Sequence, residues 1–179
     1  MTPGSSVGWT GLTLACGGVT EIDTPYAVTA GTDVSNAYLA AQSATSTATL
    51  GAGSDLAGLT KYAGVYTVGG DLNLNGTVYL DAQGSANAVF IFQITGGLVV
   101  GNGSHVVLLN SANAANVFWQ VAGVTAGAAL GTTVDFSGTI MAYSSVSVNT
   151  GTVVLGRVMA LNGQVTLAAN TITLPSPLF

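Results

Sequence analysis

Phe90-Ile-Phe-Gln-Ile94 recurs 27 positions further along the chain as Val117-Phe-Trp-Gln-Val121. In both segments large apolar side chains occupy alternate positions, which is the pattern of a β-strand that turns one face inwards. A strand pattern that returns in this way indicates a repeated structural unit.

Shorter repeats follow towards the C-terminus. Gly138–Ala142 is echoed by Gly156–Ala160, 18 positions on, and two further pairs align 19 positions apart, Val146–Val148 with Val165–Leu167 and Thr152–Leu155 with Thr171–Leu174. A period of about 20 residues made of short strands predicts a solenoid, because each coil buries its inward side chains only by stacking on its neighbours. The unequal periods predict an irregular solenoid, which we place over residues 58–174.

The alternation of apolar and polar residues predicts which side chains line the core of this solenoid. The predicted core residues are Phe90, Phe92, Ile94, Val117, Trp119, Val121, Ile140, Val158 and Leu174.

One helix is predicted before the solenoid, over residues 33–50. Thr32 or Asp33 can cap its first turn, and Gly51 can end it. An apolar stripe at three- to four-residue spacing comprises Val34, Ala37, Tyr38, Ala41, Ala44 and Ala48. Residues 1–31 are predicted to form an irregular N-terminal segment or cap, and the whole chain, 1–179, a single domain of mainly β structure.

Charged residues are rare in this chain. Asp, Glu, Lys and Arg make up 5% of the 179 residues, against about 25% in an ordinary globular protein, and the net charge is −5. Lys61 and Arg157 are the only fixed cations, so the basic clusters that bind nucleic acid or an anionic membrane surface are missing. Mean hydropathy is high, +0.59. The strongest apolar run nevertheless stops at Gln93 and is far shorter than the about 20 residues that span a bilayer.

Residues that could carry out chemistry are scattered. Asp71 and Asp81 could form the carboxylate pair of a glycosidase, but we interpret them as strand-end residues that accept hydrogen bonds from turn amides. His105 is the only histidine and has Cys16 as its only soft partner, whereas a zinc site needs three or four ligands. We therefore predict that the protein is not an enzyme and binds neither a metal nor a cofactor. Lys61 and Arg157 are predicted to have structural roles. The remaining acids also stand singly, at Glu21, Asp23, Asp33, Asp55 and Asp135.

Seven segments together resemble the ice-binding-like family of secreted microbial proteins, whose domain is also called domain of unknown function 3494. They cover about two thirds of the chain and are Gly64–Tyr66, Leu80–Gly84, Asn87–Ile94, Asn116–Val121, Phe136–Ala142, Gly156-Arg157 and Asn170–Thr173. The resemblance implies an irregular three-faced β-solenoid with one long α-helix packed alongside, an extracellular location, adsorption to ice and no cofactor. Met1–Ser6 lacks the basic segment of a signal peptide. For a secreted protein we therefore expect that a leader has been removed from this sequence.

The resemblance also supplies candidate binding residues. In many active members the ice face carries short Thr-Gly/Ala-x-Thr/Asn elements, and the corresponding places here are 132–135, 150–153 and 168–171. Only Thr150-Gly151 keeps the first half of such an element. The ice-binding candidates are Thr132, Thr133, Asp135, Thr150, Thr152 and Thr171, with the alternative that these are ordinary exposed strand residues.

The predicted function is adsorption to ice through a flat Thr/Ser-rich face, which inhibits ice growth or recrystallisation. Ice is a neutral lattice, and strands about 4.8 Å apart can hold threonines in a regular grid with fixed χ1 angles. The alternative is a structural or adhesive extracellular solenoid without ice activity. A glycan-active enzyme, the third possibility, would need a groove lined by aromatic residues and two carboxylates.

One departure from the family concerns the chain before the helix. Members usually carry a set of solenoid strands there, whereas about 32 residues without a clear copy of those strands precede the helix here. An uncovered strand edge readily pairs with another chain. We therefore predict either self-association through an uncovered solenoid edge or a reshaped cap.

Overall fold

The computed structural model describes residues 24–175, so predictions about residues 1–23, Cys16 among them, lie outside the described residues. One long helix, α1 (Pro25–Ser43), precedes sixteen β-strands, and a short 3-10 helix covers Ala114–Asn116. Within the described range, no helix has both the length and the apolar character needed to cross a membrane.

The helix α1 begins earlier than predicted. Thr24 caps it by accepting a hydrogen bond from the N–H of Ala27, and Pro25 occupies the first helical position, where an N–H has no partner in any case. The predicted caps Thr32 and Asp33 lie inside the helix. There the Thr32 hydroxyl donates to a carbonyl one turn back, so a threonine that looks like a cap is accommodated within the helix.

The helix also ends earlier than predicted. Ala44 already has an extended backbone, and residues 48–50 form a strand, so the predicted span 33–50 is wrong at both ends. Of the predicted apolar stripe, Tyr38 and Ala41 are buried.

The strands wind into six stacked coils around a prism with three faces, which we name A, B and C. Face A holds β1 (Ala48–Leu50), β4 (Gly64–Val68), β7 (Phe90–Ile94), β10 (Val117–Val121) and the second halves of β12 (Asp135–Ala142) and β14 (Val153–Ala160). Face B holds β2 (Ser54–Asp55), β5 (Leu72–Leu74), β8 (Leu98–Val100), β11 (Ala128–Leu130), β13 (Val146–Val148) and β15 (Val165–Leu167). Face C holds β3 (Thr60–Tyr62), β6 (Thr77–Asp81), β9 (His105–Leu109), the first halves of β12 and β14, and β16 (Thr171–Thr173).

Each coil crosses faces A, B and C in turn, and coils 1 to 6 stack in chain order with parallel pairing on every face. Coils 1, 2 and 3 are β1–β3, β4–β6 and β7–β9. Coil 4 ends in the first half of β12, coil 5 runs from its second half to the first half of β14, and coil 6 continues to β16. This confirms the predicted mainly β solenoid with one helix alongside, although its first strand starts at residue 48 rather than 58.

Strand registers confirm most of the predicted repeats. Phe90 lies beside Val117, Gly138 beside Gly156 and Val146 beside Val165. The last predicted alignment is wrong by one residue, because Thr171 lies beside Val153 rather than Thr152. The cause is a corner of different length: residues 149–152 separate β13 from β14, whereas residues 168–170 separate β15 from β16.

An aromatic stack forms the centre of the core. Ring centroids are 5.2 Å apart for Tyr66 and Phe92, 4.2 Å for Phe92 and Trp119, and 5.2 Å for Trp119 and Phe136. The Trp119 indole N–H donates to the carbonyl of Ser137 at 3.1 Å, so this large buried ring has its polar group satisfied. The stack connects coils 2, 3 and 4 through one continuous row of rings.

The predicted core is confirmed in its middle and wrong at one end. Val158 is partly buried, and Leu174 is 64% exposed. Both belong to the coil 6 end, where no further strand of the described chain lies on the outer side. The seven other predicted core residues are fully buried: Phe90, Phe92, Ile94, Val117, Trp119, Val121 and Ile140.

Gln93 attaches α1 to face A. The two hydrogens of its amide nitrogen are shared among the carbonyls of Ala41 (2.8 Å), Gln42 (3.1 Å) and Ala44 (2.7 Å), and its side-chain oxygen accepts from the hydroxyl of Thr67 (2.7 Å). The last carbonyls of a helix have no partner within the helix, so Gln93 satisfies groups that would otherwise be buried without one. Because α1 covers part of face A, faces B and C are the broader open surfaces of the described residues.

Candidate functional surface

Face B presents one outward side chain from each coil. The central residues of its strands lie beside one another in register, while the residues on either side of them point into the core. In coil 1 this outward position is Asp55, and from coil 2 to coil 6 the row is uncharged: Asn73, Val99, Ala129, Ser147 and Thr166. Small, uncharged side chains at strand spacing, about 4.8 Å, make a flat wall.

The corner between faces B and C continues this wall. Gly103, Thr133, Gly151 and Ala169 all have a left-handed backbone, with φ between 50° and 77°. They stack, because Gly103 N–H donates to Thr132, Thr133 N–H to Thr150, and Gly151 N–H to Ala169. A β-branched residue rarely adopts this conformation, so Thr133 is held there at a cost of about 1–3 kcal/mol.

The structure brings three of the predicted binding residues together and separates the rest. Thr132, Thr133 and Thr150 are exposed and adjacent at the B–C corner. Asp135 and Thr171 are exposed beside this corner, at the beginning of face-C strands, where Val153 lies between them.

The prediction is wrong for Thr152, which is fully buried. Its hydroxyl donates to the carbonyl of Gly131 at 2.8 Å and accepts from the N–H of Val134 at 3.2 Å. Ser104, two coils earlier, is also fully buried and links its corner to the preceding coil in the same way. Its hydroxyl donates to the carbonyl of Leu74 and accepts from the N–H of Gly76. Thr152 therefore holds adjacent coils together and cannot contact a surface outside the protein.

The remaining polar residues also stabilise corners. The Asp71 carboxylate accepts from the N–H of Gly97 at 2.7 Å, and that of Asp81 accepts from the N–H of Gln83 at 2.7 Å, as the sequence interpretation expected. Partial burial raises the pKa of Asp55, but hydrogen bonds from Ala57 and Asn75 outweigh it and leave that pKa below its usual value.

On face C, His105 and Asp135 form an exposed pair at 2.9 Å. Within residues 24–175, no three potential metal ligands of the His, Cys, Asp and Glu types lie together. Arg157, for which a structural role was predicted, is exposed, and its side chain makes no hydrogen bond to the rest of the described chain.

The sequence interpretation missed the outward row of face B. Its members do not share a residue type, since valine, alanine, serine, threonine and asparagine all occur. The signal that could have found them is position: each is the centre of a three-residue strand whose two neighbours are apolar, as in Leu98-Val-Val100 and Val146-Ser-Val148.

Parallel coils around three faces, one docked helix and a nearly uncharged open wall define the class of this protein as a β-solenoid with a helix on one face. Its sequence matches the pattern of the family described as Ice-binding-like over residues 3–173. The chain belongs to the Ice-binding-like family.

Known relatives agree with this assignment. The chain is 43% identical over 146 residues to Ice-binding protein 1 of Shewanella frigidimarina, and 43% identical over 127 residues to an ice-binding protein of a Colwellia species. These alignments cover 79% and 71% of this chain, but 16% and 47% of the relatives' own lengths. The fold matches the crystal structure of an ice-binding protein from the Antarctic ascomycete Antarctomyces psychrotrophicus with a TM-score of 0.83 and 33% identity, covering 87% of this chain and 75% of that one.

Proposed function

We propose that this protein binds ice through face B and the adjoining B–C corner, and that it thereby inhibits ice growth or recrystallisation. The observation that carries this proposal is the flat, in-register row on face B next to the exposed corner threonines. From residue 82 to residue 179 the sequence contains one carboxylate, Asp135, and one fixed cation, Arg157. Neither lies on face B.

Such a wall suits ice for physical reasons. Ice carries no net charge to pair with, so binding depends on fit over an area and on water released from apolar groups. Threonine and valine offer methyl groups, and the threonine hydroxyl can join an ordered layer of water. Because β-branched side chains hold few χ1 angles, little side-chain entropy is lost on adsorption.

Rigidity of the wall comes from the corners. Asn102 accepts from the N–H of Thr132 at 2.9 Å, and buried Thr152 joins coils 4 and 5 from the inner side of the same corner. We assign ice contact to Thr132, Thr133 and Thr150, with Asp135 and Thr171 at the margin of the contact area. Where protein is adsorbed, the ice surface can grow only as curved fronts between the bound protein molecules, and this curvature lowers the local freezing point.

Coil 5 offers a matched set of substitutions for testing the assignment. Ser147→Tyr places a bulky ring on face B, Thr150→Tyr places it at the B–C corner, and Leu155→Tyr places it on face C. The measurement is the growth of a single ice crystal in dilute protein just below its melting point. We expect faceted, arrested crystals with the unsubstituted protein and with Leu155→Tyr, and at least a several-fold loss of arrest with the other two.

Two results would contradict this proposal. A smooth, freely growing disc with the unsubstituted protein would remove ice binding and favour the structural or adhesive alternative. Loss of arrest with Leu155→Tyr alone would move the contact to face C.

Secretion and a non-catalytic mode of action belong to the same proposal. Adsorption requires the protein to meet ice directly, which is expected outside the cell. The corner carboxylates that could serve as acids already accept hydrogen bonds from backbone amides, which favours a structural role for them. Detection of the chain in culture medium after cold growth would test its location.

A further inference from the structure

The outer side of coil 6 exposes core-type side chains. Val165, Leu167 and Ile172 lie in the same inward rows as Val146, Val148 and Val154, all of which are buried in coil 5. In coil 6 these three residues are about 40% exposed, and Leu174 beyond them is 64% exposed.

Within residues 24–175, coil 6 also presents strand edges that no other strand pairs with. Parallel strands bond to their two neighbours through alternate residues. Because the carbonyl of Gln164 and the N–H of Thr171 bond to coil 5, the backbone groups of Val165 and Ile172 point away from the solenoid. Natural sheets usually protect such an edge with charges or proline. From residue 158 to residue 174 the sequence has neither.

The helix α1 extends past this end. Ala41 contacts Gln93 in coil 3, whereas Tyr38 packs against Tyr143 in coil 5, so the N-terminal direction of α1 leads towards coil 6. Thirteen residues separate Tyr38 from Pro25, which is about 20 Å of helix. In the part of the chain that the structure describes, only coil 6, about 4.8 Å further on, lies beyond coil 5. The first turns of α1 therefore project beyond the last strands, with Tyr26 79% exposed.

Charge distribution favours a second copy of this chain as the group that covers this end. Three of the five described acids, Asp55, Asp71 and Asp81, lie on coils 1 and 2, at the opposite end of the solenoid. The charge that coil 6 itself carries, Arg157, lies on its face-A strand rather than on β15 or β16, so the edges of these two strands can approach those of a second copy with little like-charge repulsion. A two-fold interface must be self-complementary, and uncharged strand edges with apolar rows satisfy this requirement.

We propose that two copies of the chain associate through their coil 6 ends, pairing the edges of β15 and β16 and covering Val165, Leu167, Ile172 and Leu174. This interface leaves face B and the B–C corner open in both copies. It does not depend on the proposed binding of ice.

Light scattering coupled to size-exclusion chromatography tests this association on the full chain. We expect twice the chain mass at micromolar concentration and the single mass on sufficient dilution. Leu174→Lys should shift the midpoint of this dissociation at least tenfold towards higher concentration, because a lysine would have to be buried without a partner. The matched control is Leu59→Lys, which changes another exposed leucine (42% exposed) on coil 1, at the opposite end of the solenoid, and should leave the midpoint unchanged.

Hydrogen exchange on the unsubstituted protein gives a second readout that needs no variant. The amides of Val165 and Ile172 should be protected in the dimer and exchange rapidly in the diluted monomer. A single chain mass at all concentrations overturns the proposal. So does protection of these amides in the monomer, which would mean that residues 1–23 cover the edge, or a dimer that Leu59→Lys weakens and Leu174→Lys does not.

Discussion

Coil 4 and coil 6 place side chains in the same inward rows of one scaffold but differ in what covers them. Leu130 in coil 4 and Leu167 in coil 6 occupy one inward row of face B, aligned through Val148. Leu130 is fully buried, whereas Leu167 is 40% exposed. Position in the stack, rather than residue type, therefore sets how much each side chain contributes to stability. A repeat protein of this kind gains stability from its interfaces between coils.

Trp119→Ala should have the largest effect, a loss of about 3–5 kcal/mol in the free energy of unfolding. The ring stacks on Phe92 of coil 3 and contacts Phe136 of its own coil 4, so truncation removes contacts both between and within coils. Chemical denaturation monitored by circular dichroism measures this loss. An unchanged midpoint would mean that the aromatic stack does not support the solenoid.

Leu130→Ala and Leu167→Ala test the comparison between coils directly. We expect a loss of about 2–5 kcal/mol for Leu130 and about 1 kcal/mol for Leu167, because the second side chain already contacts water on one side. Chemical denaturation measures both losses, at a protein concentration where light scattering shows that the chain is monomeric. Equal losses would show that something covers coil 6 in the monomer.

The same contrast explains how much could be predicted from the sequence. Alternation and repeat spacing identified the strands of the central coils, because both sides of those coils are covered and their inward rows must be apolar. Leu174 has the same local pattern, yet local pattern carries no information about whether another coil follows. Thr152 was assigned to the surface because its residue type fits an ice face, but one extra residue in its corner turns it inwards. The helix start was missed because Gly31 and the threonines of its first turns resemble a loop, although Thr24-Pro25 is a typical start.

The row of Gln93, Gln120, Met141 and Met159 on face A gives a third comparison. Gln93→Leu should cost about 2–3 kcal/mol, because two carbonyls of the last turn of α1 and that of Ala44, just after it, lose their donor. Gln120→Leu should cost less than about 1 kcal/mol, since the Gln120 amide nitrogen is buried without a hydrogen-bond partner in the described chain. A larger loss for Gln120 than for Gln93 would contradict the role assigned to Gln93 in holding α1.

Thr133→Gly and Ala169→Gly give the smallest effects on stability and compare one corner position in two coils. Both residues have a left-handed backbone, with φ of 54° and 50°. Glycine relieves the strain, so Thr133→Gly should raise the free energy of unfolding by about 0.5–1 kcal/mol, and Ala169→Gly by less, because alanine lacks the β-branch. If Thr133 contacts ice, the first substitution should also weaken growth arrest of an ice crystal, while the second leaves it unchanged. Glycine removes the methyl and hydroxyl groups of Thr133 together with the strain. A variant that is more stable but no longer arrests growth would therefore show that the threonine side chain is kept for ice contact in spite of the strain it causes. Growth arrest that survives Thr133→Gly would exclude this threonine from the contact surface and leave its unusual conformation without a functional explanation.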